Sequence, residues 1–372
     1  MNVKDCSDIA RINMQAALPA CGGLRALSAA RAGRSDSRNR LVSRKSLYFS
    51  KTQRIILVSI TPTIPVPHAT SQPTLSPLIE LPSPFETERG VIRLLESADC
   101  DQKMLLDRVR SSTYDKPYII DDGDWRTLYF SITFIQSAMR LDDPFALDLA
   151  YTRKMMSFLL FVHEPRSILM LGLGGGSLAK YCHRHLPLSR ITVVEIDPHV
   201  LAFREQFLVP PDDARFCVVL GDAAEYLEAL RESPDVIIMD AFDRNGLATS
   251  VCSREFYTNV RDALTRKGVM VANLVGEKAE RNTHLELMRT VFEGNVIVLP
   301  VKDDGNHVAF AFRDATFEPR WRWMDGQAKA MRARYGLDFP KFAGKLERSR
   351  KLGYLKRIMH QPEPFESGDV GY

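Results

Sequence analysis

The feature that most constrains the fold is a regular alternation of short apolar segments with helical segments after residue 166. Strands with apolar side chains at consecutive positions are buried on both faces, as happens when helices cover both sides of a parallel sheet. The chain is therefore predicted to be an α/β protein with a mostly parallel sheet. The apolar segments are SILMLG, ITVVEID, CVVLGD, DVIIMDAFD, VMVANLV, NVIVLPV and HVAFAFRD.

A different pattern precedes this alternation. Between residues 86 and 135, β-branched and aromatic residues are interrupted by an Asp-Gly pair that is typical of hairpin turns, which predicts a small antiparallel sheet. Residues 148–162 have helical spacing. We therefore expect a small β domain with a connecting helix over 86–160, a nucleotide-binding catalytic domain over 161–315 and a basic helical extension over 316–372.

The first 85 residues differ in charge from the rest of the chain. They carry eleven Lys and Arg against four Asp and Glu, so their net charge is +7, whereas the remaining residues sum to −3. Their richness in Ser, Arg, Ala and Pro predicts a disordered basic tail over 1–85, with residues 69–84 as an extended linker. An organelle transit peptide has a similar composition and stays open as an alternative.

The composition also excludes several classes of protein. No apolar stretch approaches the roughly 18 residues that a membrane span needs. The six cysteines lack the CxxC spacing of metal sites, which favours a reduced, cytoplasmic protein. His183 and His185 would point to different faces of a helix, so no metal is expected. The basic segment 345–357 is interpreted as a solvated helix face, and nucleic-acid binding is not expected.

A glycine turn joins the first apolar segment to the helical segment that follows it. Gly172, Gly174 and Gly176 form a Gly-x-Gly-x-Gly pattern there. Glycine allows a sharp turn and the close approach of a ligand, and the start of the helix offers free N–H groups and the positive end of a dipole. The turn predicts a site for an anionic or polar ligand, although tight packing is an alternative reason for the same pattern.

Acidic residues end the next three apolar segments. Glu195, 23 residues after Gly172, is placed to accept hydrogen bonds from both ribose hydroxyls of a nucleotide. Asp222 is placed to contact an adenine amine or, as an alternative, to cap the following helix. Asp240 and Asp243 can bind a cationic group and take a proton from an amine, unless they belong to a solvated acidic loop.

In this order, the four features resemble those of the spermidine synthase, or polyamine aminopropyltransferase, family. The resemblance covers about residues 90–315. It implies an N-terminal β domain, a methyltransferase-like Rossmann domain with a seven-stranded sheet, and a homodimer. The family transfers an aminopropyl group from decarboxylated S-adenosylmethionine to a di- or polyamine. The segments that carry the resemblance are LMLGLGGGSLAKYCHRH, VVEIDPHVL, VVLGDAAEYL, DVIIMDAFD and, upstream, FIQSAMRLDDPFALDLAYTRKM.

The resemblance also implies roles for residues on the donor side. By position, Gln136 would contact the nucleotide, together with the glycine turn. Glu195 would bind the ribose. Asp222 and the adjacent Ala223 would contact the adenine.

On the acceptor side, the resemblance implies three catalytic residues. Asp240 would accept the proton of the attacking amine. Asp243 would bind amino groups of the substrate. Tyr151 would support Asp240 as a hydrogen-bond donor.

Three positions depart from the family pattern. The family's glycine turn contains an aspartate that contacts the donor's aminopropyl nitrogen, and the aligned residue here is Gly175. The family's Tyr-Gln or Tyr-His pair is Tyr151-Thr152 in this chain. The late loop that contacts the diamine reads LPVKDDGNHV and lacks the family's tyrosine.

These departures leave more than one function open. The first hypothesis is a spermidine synthase-like aminopropyltransferase, since the paired aspartates suit a polyamine. The second is a methyltransferase that uses S-adenosylmethionine on the same scaffold, because the loss of the turn acid removes a contact specific to the decarboxylated donor. The third is a nucleotide-binding module without catalytic activity.

Overall fold

The computed structural model describes residues 78–360 except 133, 244–245, 248 and 302–304. The predicted disordered tail and the transit-peptide alternative concern residues outside this range, apart from positions 78–85. The last twelve residues of the predicted C-terminal extension, 361–372, also lie outside it.

The first part of the described chain is an antiparallel sheet. Its five strands pair in chain order. This confirms the predicted small sheet, and the Asp122-Gly123-Asp124 turn joins its third and fourth strands, with the Asp124 N–H bonded to Asp122 Oδ1 at 2.9 Å. The strands are β1 (Ile79–Pro82), β2 (Val91–Leu94), β3 (Tyr118–Asp121), β4 (Trp125–Ser131) and β5 (Phe134–Arg140).

Strand β1 corrects the prediction of an extended linker over 69–84 in the part that the structure describes, residues 78–84. Ile79 and Leu81 alternate with exposed residues and are both buried in the core of the antiparallel sheet. The sheet therefore begins before residue 86, where the sequence analysis placed its start. Two apolar residues separated by one position are a weak strand signal in a segment rich in proline, which explains why composition was misleading here.

Two further segments of this region differ from the sequence-based expectation. Helix α1 (Gln102–Arg110) lies between β2 and β3 and was not predicted; its N-cap Asp101 accepts two backbone hydrogen bonds. The expected helix over 148–162 is a short helix, α2 (Ala150–Met155), followed by a 3-10 turn (Met156–Leu160). All five residues of that turn are buried, so the segment belongs to the core and not to an amphipathic surface helix.

The second part of the described chain is a seven-stranded sheet with a short separate hairpin. The strands of the sheet are ordered β13-β14-β12-β9-β6-β7-β8, and only β14 runs antiparallel to its neighbours. This confirms the predicted α/β fold. The strands are β6 (Ser167–Leu171), β7 (Arg190–Glu195), β8 (Phe216–Leu220), β9 (Val236–Met239), the hairpin strands β10 (Phe242–Asp243) and β11 (Gly246–Leu247), then β12 (Val269–Leu274), β13 (Val296–Pro300) and β14 (His307–Phe312).

Helices follow the strands as the alternation predicts. One of them is shorter than expected: the segment 198–209 is helical only as far as Ala202, after which the chain turns back with Phe203 and Phe207 buried. The helices of this part are α3 (Ser177–His185), α4 (Pro198–Ala202), α5 (Ala223–Ala229), α6 (Arg254–Ala263), α7 (Lys278–Val291), α8 (Trp321–Tyr335), α9 (Phe339–Lys351) and α10 (Tyr354–His360).

The seven-stranded sheet has a hydrophobic core on each face. In β6, Ile168 and Met170 join one core, whereas Leu169 and Leu171 join the other. The first core also contains residues of the antiparallel sheet, such as Leu128, so the two sheets share buried apolar surface. The domain boundaries expected at residues 160 and 315 stay predictions. No helix among the described residues is both long and apolar enough to span a bilayer.

Candidate active site

A cleft opens at the carboxyl ends of β6 and β9. The empty space within it is about 430 Å³, a figure that includes the part open to solvent. Side chains from the antiparallel sheet, from α2 and from the glycine turn form its walls. The lining residues are Gln136, Ser137, Tyr151, Thr152, Met170, Gly172, Leu173, Gly174, Gly175, Ser177, Leu178, Ala179, Ile238 and Asp240.

Gly172 permits the close approach of the two strands beneath the cleft. Its φ is +97°, and a Cβ added there would lie 2.2 Å from the carbonyl oxygen of Asp240. The Asp240 N–H also bonds to the carbonyl oxygen of Leu171 at 2.9 Å. Any side chain at position 172 would therefore push the end of β9 away from the turn. The packing alternative is correct for this glycine, and the same contact places Asp240 beside the turn.

The glycine turn ends at the start of α3. Gly174 and Gly176 also have positive φ, and Gly176 is the N-cap of this helix. Ser177, the first helical residue, and the two residues after it line the cleft. The cleft therefore meets the N-terminal end of a nine-residue helix, where the dipole favours polar or anionic ligand groups.

Glu195 lies at the end of β7 and is 7% exposed. Its Oε2 accepts a hydrogen bond from the Leu173 N–H at 2.8 Å, and its Oε1 accepts one from the Asp197 N–H at 2.9 Å. Burial raises the pKa of this carboxyl, and the backbone hydrogen bonds oppose that effect. Glu195 thus holds the backbone of the glycine turn at Leu173. Its predicted contact with a ribose stays a prediction.

Asp222 caps helix α5. Its Oδ1 accepts hydrogen bonds from the N–H groups of Ala224 at 2.7 Å and Glu225 at 3.2 Å. The capping alternative is therefore confirmed. Both bonds use the same oxygen, and Ala223 follows as the first residue of the helix. An adenine contact by Asp222 and Ala223 stays a prediction.

Asp240 follows β9 and has one hydrogen-bond donor at each carboxylate oxygen. The Tyr151 hydroxyl donates to Oδ2 at 3.3 Å, and the amide of Asn273 donates to Oδ1 at 2.9 Å. Burial raises the pKa of Asp240 to about 6, although both hydrogen bonds favour the ionised form. A carboxylate with a pKa near neutrality, at the wall of a cleft, is suited to accept a proton from a substrate.

Gln136 and Ser137 of β5 face the glycine turn from the opposite wall. A Cβ added at Gly174 would lie 3.7 Å from Gln136 Cγ, which is ordinary contact. At Gly175, by contrast, a Cβ would lie 2.6 Å from Ser137 Oγ and 2.9 Å from the ring of Phe207. Position 175 therefore has no room for the aspartate of the family pattern unless Ser137 and Phe207 move.

The other candidate positions are described only in part. Asp243 lies in β10, which pairs with β11, but its side chain is outside the described set. In the late loop, residues 302–304 are also outside it, and the Val301 N–H bonds to the Asn306 carbonyl oxygen at 2.8 Å. Thr152, at the family's Gln or His position, is buried and donates to the Leu149 carbonyl oxygen at 2.7 Å.

Sequence reasoning missed Asn273 and Ser137 as site residues. Asn273 is a polar residue in the apolar segment VMVANLV, one position before the end of β12. The same signal that identified Glu195 and Asp240, a polar residue near the carboxyl end of a strand, was sufficient to find it. Ser137 gave no such signal, because its contact with Gly175 depends on how two sheets pack together.

Comparison with known proteins agrees with this arrangement. The spermine/spermidine synthase domain matches residues 148–295. A polyamine aminopropyltransferase of Chromobacterium violaceum is 35% identical over 247 residues, which cover 66% of this chain and 95% of that protein. An eEF1A lysine and N-terminal methyltransferase homolog of Drosophila melanogaster is 28% identical over 45% of this chain and 26% of that protein.

A solved structure supports the fold. A spermidine synthase in complex with the transition-state analogue AdoDATO superposes with a TM-score of 0.52 at 18% identity, over 66% of this chain and 86% of the other. At this identity the match concerns the fold alone. The extent and identity of the match to the Chromobacterium violaceum enzyme are sufficient to assign the family. The chain therefore belongs to the spermine/spermidine synthase family, the polyamine aminopropyltransferases, and is a transferase.

Proposed function

We propose that this protein transfers the aminopropyl group of decarboxylated S-adenosylmethionine to a di- or polyamine. The observation that carries the proposal is the position of Asp240 at the wall of the cleft, hydrogen-bonded to Tyr151 and Asn273 and adjacent to the glycine turn. The burial of Asp240 raises its pKa to about 6. It is therefore ionised at neutral pH and basic enough to take a proton.

The donor would lie along the glycine turn. The N-terminal end of α3 suits the polar parts of a nucleoside. Glu195 would accept the ribose hydroxyl groups through the lone pairs that its two backbone bonds leave available. Asp222 would accept the adenine amine through Oδ2, since its cap bonds both use Oδ1. Gln136, which lines the wall opposite the glycine turn, would contact the other side of the donor.

The reaction is a displacement at carbon. The lone pair of a neutral amine forms a C–N bond to the aminopropyl carbon next to the sulfonium, and the C–S bond breaks with its electrons moving to sulfur. The sulfonium becomes a neutral thioether, and the proton of the attacking nitrogen goes to Asp240. The protein mainly positions the two partners and accepts the proton, and general-base catalysis contributes about 10²–10⁴ in rate.

Tyr151 and Asp243 would complete the acceptor side. The Tyr151 hydroxyl holds Oδ2 of Asp240 in place. Asp243, three residues further on, would bind a second, charged amino group of the acceptor. A long acceptor with two amines, one neutral and one charged, suits this pair of carboxylates.

Product analysis tests the proposal directly. The full-length protein is incubated with decarboxylated S-adenosylmethionine and 1,4-diaminobutane, and the products are separated by mass spectrometry. We expect the diamine to gain one aminopropyl group and methylthioadenosine to appear in equal amount. Neither product would form if the chain only binds the nucleotide.

A methyltransferase is the second candidate, and the environment of Gly175 favours it. Ser137 and Phe207 fill the space where the family pattern has an acid, so the turn presents no carboxylate to the donor's amine at position 175. Calorimetric titration with intact and decarboxylated donor separates the two functions. Tighter binding of the decarboxylated donor supports aminopropyl transfer, whereas tighter binding of the intact donor supports methyl transfer.

Replacing Asp222 by alanine separates its two roles. Loss of the helix cap is expected to lower the free energy of unfolding by about 1 kcal/mol, as measured by urea denaturation. Ser253→Ala is the matched control, because Ser253 caps α6 through the Phe256 N–H at 2.9 Å. Only Asp222→Ala is expected to weaken donor binding as well, by roughly tenfold. Equal donor affinity in the two variants would contradict the adenine contact.

The proposal also includes a homodimer and a cytoplasmic location, as the sequence analysis expects. Sedimentation of the purified chain tests the dimer. The proposed partner is a small-molecule polyamine, and the proposal includes neither a nucleic acid nor a membrane as a partner.

A further inference from the structure

A chain of two buried amides leads away from Asp240. Asn273 is 2% exposed and Asn306 is 6% exposed. The Asn306 amide nitrogen donates to Asn273 Oδ1 at 3.1 Å, and the Asn273 amide nitrogen donates to Asp240 Oδ1 at 2.9 Å. The chain thus runs from the loop between β13 and β14, through β12, to the carboxylate.

The two ends of an amide have opposite effects on a carboxylate. The NH₂ end donates a hydrogen bond and stabilises the ionised form, whereas the carbonyl end repels it. Asn273 can present either end to Asp240 by rotating its amide through half a turn. Because Asn306 donates to Asn273 Oδ1, the carbonyl end is already engaged, and the NH₂ end faces Asp240.

We infer that Asn306 is a positioning residue, which acts through Asn273 to fix the donor end of an amide against Asp240. The inference rests on the proposed role of Asp240 as the base. The backbone of Asn306 is held in turn, since its carbonyl oxygen accepts the Val301 N–H at 2.8 Å. The position of Asn306, immediately before β14, is thereby coupled to the protonation of Asp240.

Other groups near Asp240 and Asn306 do not replace this effect. Tyr151 of α2 contacts the other oxygen of Asp240. Gly172 and the end of β6 approach Asp240 with backbone only. Next to Asn306, His307 lies against Tyr354, with its Nε2 3.3 Å from the hydroxyl. Burial and the charge of Arg281 lower the pKa of His307 to about 4, so it stays neutral while Asp240 titrates.

The test compares leucine substitutions at the two asparagines, singly and together. Asn273→Leu removes the direct hydrogen bond and should raise the pKa of Asp240 by about one unit. Asn306→Leu leaves the amide of Asn273 free to rotate and should raise that pKa by roughly half a unit, which lowers the ionised fraction of Asp240 at pH 6 about twofold. In the double variant, the pKa should equal that of Asn273→Leu alone, because Asn306 acts only through Asn273.

Two readouts report the pKa of Asp240. The first is a ¹³C NMR titration of aspartate carboxyl groups in the full chain, with Asp240→Asn assigning the signal. The second is the pH profile of kcat for aminopropyl transfer, whose low-pH decrease should move to higher pH by the same amount as the pKa of Asp240. The NMR readout requires no turnover, so it tests the inference even if the proposed activity is absent.

Asn295→Leu is the matched control. Asn295 is 3% exposed and donates to backbone carbonyl oxygens near the other end of β13, such as that of Phe317 at 2.9 Å. Its replacement should lower the melting temperature about as much as Asn306→Leu does, because each variant loses one buried amide. It should leave the pKa of Asp240 unchanged. The inference is overturned if Asn306→Leu leaves the pKa at its wild-type value, if the two asparagine effects add, or if Asn295→Leu produces the same shift.

Discussion

Replacing Asp240 by asparagine is expected to lower kcat for aminopropyl transfer by about 10²–10⁴, the contribution of a general base. Asparagine has nearly the same shape and can still bond to Tyr151 and Asn273, but it cannot accept a proton from an amine. The wild-type kcat should fall as the pH drops through about 6, where Asp240 becomes protonated. That low-pH decrease should disappear from the residual activity of the variant.

The stability of the same variant provides the control for misfolding. The pKa of Asp240 is higher in the folded protein than its ordinary value of 3.8. The folded state therefore holds this proton more tightly than the unfolded state, and ionisation of Asp240 lowers stability as the pH rises from about 4 to about 6. At pH 7, Asp240→Asn should thus be more stable than wild type, by up to about 3 kcal/mol. An inactive variant that also melts earlier would contradict this account.

Replacing Gly172 by alanine is expected to remove donor binding and to destabilise the fold. The added Cβ would lie 2.2 Å from the Asp240 carbonyl oxygen, and alanine at a φ of +97° is strained. The strain alone costs about 1–3 kcal/mol, and relief of the clash would separate the end of β9 from the turn. Urea denaturation and calorimetric donor titration measure the two effects.

Gly221→Ala is the matched control for this substitution. Gly221 also follows a strand at the same edge of the sheet, but its φ is not positive and no atom lies within 4 Å of an added Cβ. It should therefore retain wild-type stability and donor affinity. If Gly172→Ala retained them as well, the close approach of β6 and β9 would not be what the glycine turn requires.

The fold was largely predictable from the sequence because its signals are local. The segment VIIM, for example, is apolar at every position, and it forms β9, which is buried on both faces. The linker prediction was wrong at residues 79–82, because Ile79 and Leu81 become a strand only through pairing with β2. The early end of α4 depends on how Phe203 and Phe207 pack, which is a tertiary effect.

The positions of the candidate site residues were predictable where a residue ends a strand and less so where two elements meet, and their roles stay predictions. Glu195, Asp222 and Asp240 follow from the rule that parallel strands end at one edge. The bond between Tyr151 and Asp240 came only from the family resemblance, since 89 residues separate them. The contact of Ser137 with Gly175 could not be predicted, because no sequence pattern encodes the distance between two sheets.

The candidate site residues and their partners come from two groups of strands. Strands β6 to β8 supply the turn, Glu195 and Asp222, whereas β9, β12 and the segment entering β14 supply Asp240 and its amides. The amino end of β14 lies at the edge of the sheet where the other strands have their carboxyl ends. A parallel strand in the same place would have its carboxyl end there. With β14 reversed, Val301 and Asn306, which lie after β13 and before β14, are both at the edge of the sheet where Asp240 lies. If residues 301–306 were exchanged for the corresponding segment of a relative, the pKa of Asp240 would be expected to change. The glycine turn, Glu195 and Asp222 would keep their own sequence.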